Sequence, residues 1–309
     1  KGVDSRIAHT AEHAFIGALQ RILGQTLRVR KVEHKKDANT AFIVIPQLDI
    51  DAIVKAENMV NALVAEGRAV TTHTYPTLED ARKQNPGLRA NEERIAGEAR
   101  VVEIEGHDVT ACAMDHALNL KECDFFLVTR LSKSGGEHEV DFVVGQHAKE
   151  AAISLSTKMM RVCEELGANP NTVENTARKV RSQGEANLKK LKALSREKLA
   201  GIQPVATNNV IIFKGAFAGL ADDVLQEFAG EKIESPGAIV VLANAAGDSA
   251  YFVFARNEAL ALDCNKVFRE AAGPDGRGGG KPHFVTGVVK ADRAAEIIDR
   301  IVAGTLRLN

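Results

Sequence analysis

Two short stretches of this chain hold residues of metal-binding type at a matched spacing. "HTAEH" places His9 and His13 four positions apart, and "CAMDH" does the same for Cys112 and His116. Residues i and i+4 of a helix share one face, so two imidazoles spaced this way can reach a single ion. Two ligands do not hold a structural zinc, whereas three nitrogens and one thiolate do. These are borderline N and S donors suited to Zn²⁺. The alternatives are plainer. His9 and His13 can make ordinary helix-face hydrogen bonds, and Cys112 can be a buried strand cysteine, a common fate of a free thiol.

The elements that must carry these residues follow from periodicity. Over residues 7–23 the apolar positions Ile7, Ala11, Ala14, Phe15, Ala18, Leu19 and Ile22 recur at steps of three and four, which predicts a helix that Gly24 ends. A strand is expected over 41–45, a helix over 51–66 and a strand in "RAVTTHTYP". A short helix in "TLEDARKQ" is capped by Thr77, with Asp80 at the capping-box position. Val101 to Cys112 reads as a hairpin turning at Gly106-His107-Asp108, and a second hairpin turns at Gly135-Gly136. Two long helical patterns follow, over 148–166 and 171–200, separated by "GANPN". Beyond Pro204, strands and helices alternate to the end, with "GPDGRGGGKPHFVTG" read as a Gly-rich loop before a last helix. The expected fold class is α+β: a metal-binding domain over residues 1–146, a long helical hairpin over 147–205 and a C-terminal α/β domain over 206–309.

Composition narrows the functional classes. The 309 residues are 45% hydrophobic and 26% charged, ordinary for a globular protein. No apolar run approaches the ~20 residues of a membrane helix, and "KGVDSRIAHT" has no secretory-signal pattern. A net charge of −1 leaves nucleic-acid binding to local patches. Four scattered cysteines, Cys112, Cys123, Cys163 and Cys264, point to a reducing, cytoplasmic setting rather than a disulfide framework.

The paired motifs, in this order and about 100 residues apart, resemble the editing domain of alanyl-tRNA synthetases and the free-standing alanyl-tRNA editing proteins. "HTAEHAFIGALQRILG" is similar to the family's opening helix, and "VVEIEGHDVTACAMDH" to its metal-bearing hairpin. The helical hairpin and "GRGGGKPHFVTG" resemble the linker and C-terminal domain of alanyl-tRNA synthetase, the domain type that also accompanies DHH phosphoesterases. Ala113, Met114 and Asp115 stand where the family has two glycines and a threonine, and the family's Thr-Gly-x-Ile-Gly run after His116 is absent.

The resemblance implies a zinc-dependent hydrolase that deacylates mischarged Ser- or Gly-tRNA specific for alanine. It implies zinc on His9, His13, Cys112 and His116. To such a reaction a zinc ion offers a lowered pKa for bound water, a polarised carbonyl or an oriented substrate. A second sieving site is needed because a synthetase separates small side chains poorly. Thr10 is a candidate to contact a serine hydroxyl, or simply a helix-face threonine.

Two other readings stand beside this one. "HTAEH" also spells His-x-x-Glu-His, an inverted zinc-protease motif with Glu12 as general base, but the downstream partners are a cysteine and a histidine rather than an acidic ligand. Glu12 is otherwise a solvated helix residue or a carboxylate with a catalytic or metal-orienting role. A non-enzymatic reading makes the chain a tRNA-binding or dimerising module with a degenerate site. Between Arg178 and Lys198 a basic stripe includes Lys189 and Lys190, and Arg277, Gly278, Gly279, Gly280 and Lys281 offer backbone N–H groups and cations to RNA phosphates. The partners expected are tRNA, specific for alanine, and a second copy of the chain, a homodimer through the helical hairpin and the C-terminal domain.

Overall fold

The computed structural model describes residues 5–34, 38–90, 95, 97–207 and 210–308. It divides into two compact units, Lys1–Val173 and Glu174–Asn309. The fold is mixed α and β, as expected.

In the first unit, helix α1 (Ser5–Leu23) is the central element. Every residue from Ala8 to Leu19 is buried, the polar ones included. A helix covered all round must satisfy its polar side chains internally, and His9, Thr10, Glu12 and His13 lie inside that stretch. Helix α2 (Ile50–Glu66) packs beside α1. Asp49 caps α2 and Gly67, at φ +70°, ends it, a positive angle that favours glycine. A four-stranded antiparallel sheet is formed by β1 (Arg28–His34), β2 (Asn39–Val44), β6 (Phe126–Ser134) and β7 (Glu137–Val144), in the order β1-β2-β7-β6. Phe15 of α1 meets Phe126, which meets Phe142, at ring-centroid separations of 5.2 and 5.3 Å.

A second antiparallel sheet has the order β3-β4-β5, from β3 (Val70–Tyr75), β4 (Ala99–Ile104) and β5 (Asp108–Ala111). Helix α3 (Leu78–Gln84) begins at the Thr77 cap, whose hydroxyl accepts from the Asp80 N–H. Helix α4 (Gly145–Glu165) follows β7 and packs on β6 and β7.

In the second unit, α5 (Val173–Ala200) leads into a six-stranded sheet. Its order is β12-β13-β11-β10-β9-β8. The strands are β8 (Val205–Thr207), β9 (Val210–Ala218), β10 (Ala238–Ala246), β11 (Ser249–Arg256), β12 (Gly276–Lys281) and β13 (Phe284–Lys290). Among the described strands of this sheet only the β9–β10 pair is parallel, and its crossover contains α6 (Asp222–Lys232). Ile239, Val241 and Ala243 of β10 face a core with α7 (Cys264–Ala272) and α8 (Ala294–Leu308), while Val240 and Leu242 face a core with α6 and Leu199 of α5. Both faces are covered, so β10 reads as an unbroken apolar run.

The Gly-rich segment corrects the expectation of a loop: residues 276–281 form the edge strand β12, paired antiparallel with β13. The glycines serve packing. A Cβ on Gly278 would lie 2.6 Å from Thr286 O and 2.9 Å from Phe268 Cε1, and one on Gly287 would lie 2.7 Å from Arg277 O. The Phe268 ring lies against bare backbone that side chains would lift away.

Candidate metal centre

His9 and His13 project from one face of α1, as the spacing requires. Cys112 directly follows β5, and His116 lies four residues further along an irregular segment. These side chains converge. One ligand atom from each of His9, His13, Cys112 and His116 lies within 4.8 Å of the others. His9 Nε2 is 3.1 Å from Cys112 Sγ. The three imidazole centroids form a triangle with sides of 4.7, 4.9 and 4.6 Å.

The chemistry of the set fits a metal ion. His116 Nδ1 donates to Met114 O at 2.8 Å, which fixes the tautomer and leaves Nε2 with its lone pair. That Nε2, and His13 Nδ1, are buried without a hydrogen-bond partner among the described residues, an arrangement that calls for a ligand. Burial, with Arg89, His9 and His116 adding to it, holds the His13 imidazole well below its usual pKa. Burial also lowers that of His116, against the opposing bond to Met114 O. Neutral imidazole is the form that binds metal. Burial pushes the Cys112 thiol up, and a bound cation reverses this.

Several groups hold the two halves of the set together. The Thr10 hydroxyl donates to Arg6 O at 2.8 Å and accepts from the Ala117 N–H at 2.9 Å. The Arg100 guanidinium donates to the carbonyls of Cys112 and Met114, bracing the backbone between the thiol and His116. His107 Nε2 lies 2.7 Å from Ala14 O, and Arg21 of α1 donates to Gly106 O and His107 O. Gly17 permits the approach, since a Cβ there would lie 2.9 Å from both Asp108 Cβ and His107 Nε2.

Glu12 is buried at 3% exposure, not solvated, because α1 is covered on all sides. Its Oε2 is 3.7 Å from His9 Nδ1 and 3.7 Å from His13 Nε2. Burial pushes its carboxyl up to about 7, with Arg89 pulling down and Asp108 pushing up. Arg89 stands out in no sequence pattern, and Asp108 reads there only as a turn residue. Arg89 Nε and Nη2 hold Asp108 at 2.9 and 2.7 Å, and Thr110 Oγ1 adds a bond to the same carboxylate at 2.6 Å. Burial disfavours the Arg89 charge, but Asp108 and Glu12 raise its pKa. Their pairing had no local signal: Arg89 sits in "PGLRAN", a turn-like string, and meets Asp108 only through tertiary folding.

The remaining candidates lie in the second unit. Arg277 and Lys281 are exposed along β12, and a Cβ on Gly279 would meet nothing nearer than Asn265 Oδ1 at 4.0 Å. Lys189 and Lys190 are exposed on α5. Elsewhere in the basic stripe Lys192 pairs with Asp223 and Arg196 with Glu227, so part of it stabilises the unit itself. No described helix is long and apolar enough to cross a membrane.

Comparison with known proteins finds relatives over nearly the whole chain. An alanine–tRNA ligase of Ignicoccus hospitalis is 26% identical over 301 residues, covering 96% of this chain and 32% of the ligase. One from Pyrococcus abyssi is 28% identical over 312 residues, covering 95% of this chain and 33% of the ligase. These relatives are named alanine–tRNA ligases. The chain spans about a third of the length of the curated relatives it matches. No protein-family model matches it. Among solved structures, the C-Ala domain from Aquifex aeolicus alanyl-tRNA synthetase aligns with 34% of this chain and 98% of that domain, at 19% identity and a TM-score of 0.32.

Proposed function

We propose that this chain is a zinc-dependent aminoacyl-tRNA deacylase that removes mischarged serine or glycine from tRNA specific for alanine. The observation that carries the reading is the convergence of His9, His13, Cys112 and His116 in a chain homologous to alanine–tRNA ligases. The reaction is ester hydrolysis: water adds to the carbonyl carbon, the bond to the ribose oxygen breaks, and the free amino acid and tRNA leave. His9, His13, Cys112 and His116 would hold the zinc; bound by all four it would orient the substrate, and bound by three it would keep a position from which to polarise the ester carbonyl. Thr10 ties the two ligand pairs together, Arg100 braces the backbone between Cys112 and His116, and Glu12 lies beside the reacting group.

On this reading residues 1–146 carry the chemistry, 147–205 form the linker and 206–309 hold tRNA. Arg277, Gly278, Gly279, Gly280 and Lys281 on β12, with Lys189 and Lys190 on α5, contact its phosphates. The chain is a homodimer through residues 148–309; the exposed Val180, Leu188 and Leu194 of α5 are the kind of surface a second copy covers. Light scattering at micromolar concentration tests this, and a monomer overturns it.

The decisive experiment uses purified, zinc-loaded protein. It is expected to release serine or glycine from mischarged tRNA specific for alanine and to spare correctly charged Ala-tRNA. Cys112→Ala is expected to lose the activity together with the metal. If the intact protein binds tRNA yet hydrolyses none of several mischarged species, the deacylase reading falls and the chain is a tRNA-binding module.

A further inference from the structure

The four metal ligands leave Glu12 unexplained. Its place between His9 and His13 on α1 turns the carboxylate into the same buried space. Its distances of 3.7 Å to each imidazole are too long for hydrogen bonds. No donor of a described residue comes within hydrogen-bond distance of the Glu12 carboxylate, whose contacts to His9 and His13 stay at ion-pair range, although the residue is almost wholly buried. Arg89 is a cation close enough to act on it electrostatically, but its Nε and Nη2 are committed to Asp108. A buried carboxylate without a donor is strongly disfavoured, and native proteins pair such groups. The donor is therefore expected to arrive with the ligand.

An aminoacyl ester brings one. Its α-ammonium lies two bonds from the carbonyl carbon and carries a positive charge with three N–H donors. We propose that Glu12 anchors the α-ammonium of the aminoacyl group, setting the carbonyl beside the His–Cys cluster and restricting the site to substrates with a free amine. This rests on the deacylase reading for its substrate class. It adds a specificity that reading does not contain: N-blocked species, such as formyl-aminoacyl or peptidyl esters, are refused because they have no charge to offer and leave the carboxylate unpaired.

The test is a binding comparison on the full, zinc-loaded chain. The two probes are an adenosine carrying serine through an amide in place of the ester, and the same molecule acetylated on the serine nitrogen. Calorimetry is expected to find the free-amine probe bound about 10- to 100-fold more tightly, the range of a charge-assisted hydrogen bond. In Glu12→Gln the gap is expected to shrink to within about threefold, with the zinc content unchanged. Equal affinity of the two probes for the native chain overturns the proposal, whatever the variant does. So does a gap that survives Glu12→Gln, failure of both probes to bind, or loss of zinc from the variant. Neither probe is hydrolysed, so the gap is read whether or not the ester is cleaved. A chain that shows the gap but cleaves no mischarged tRNA keeps the anchor and loses the deacylase reading.

Discussion

Thr10 and Ala117, 107 residues apart, are joined by a 2.9 Å hydrogen bond from the Ala117 N–H to the Thr10 hydroxyl. The bond lies in the interior, with Thr10 wholly enclosed, and its two ends are one residue from His9 and one residue from His116. The spacing between the ligand pairs thus depends on a hydroxyl.

Thr10→Val keeps the shape and removes the acceptor, leaving a buried N–H unpaired at a cost of about 1–3 kcal/mol. Zinc affinity, measured by competition with a chelating dye, is expected to fall by about 10- to 100-fold. Thr10→Ser restores the hydroxyl and is expected to stay close to the native affinity. Equal loss in both variants would remove the positioning role.

Metal analysis is expected to find about one zinc per chain, and chelation is expected to lower the melting temperature by about 5–10 °C, because the ion binds only the folded state. Thiol labelling gives an independent view. Cys123, Cys163 and Cys264 are buried, and burial pushes the Cys123 and Cys264 thiols up to about 12. At pH 8 both lie far below their titration and hold almost no reactive thiolate. A bulky disulfide reagent is expected to label one thiol per chelated chain, Cys112, and none in the zinc-loaded protein. Rapid labelling of a second site would contradict this.

Asp108 is buried and holds Arg89 through two hydrogen bonds. Asp108→Ala strands the guanidinium in an interior that disfavours its charge, and is expected to destabilise the chain by about 3–5 kcal/mol in denaturant melts. An effect below about 1 kcal/mol would show that Arg89 reaches water easily once released.

The glycines of β12 are not equivalent. Gly278→Ala places a Cβ 2.6 Å from Thr286 O, and Gly280→Ala drives one against Phe284 O. Each is expected to cost about 1–3 kcal/mol. Gly279→Ala meets nothing closer than 4.0 Å and is expected to be neutral within about 0.5 kcal/mol. Thermal melts of the three variants separate packing from any role in binding RNA.

The sequence alone determined what is local. The steps of three and four across α1, the Thr77 cap and the turn at Gly135 follow from contacts within one or two turns of chain. The same spacing set His9 beside His13, and donor chemistry paired them with Cys112 and His116. Tertiary structure decided the rest. Glu12 is buried because α1 is covered on every side, which no pattern within the helix specifies. Strand β1 was missed because Val29 and Val32 both pack on the core at an odd spacing, made possible by a register shift between Val29 and Lys31. Strand β12 looked like a loop because glycine has no strand preference, and the Phe268 ring that requires those glycines comes from a separate helix. Arg89, Arg100 and the Thr10 hydroxyl gained their roles from partners between 12 and 107 residues away, where only the folded chain selects who meets whom.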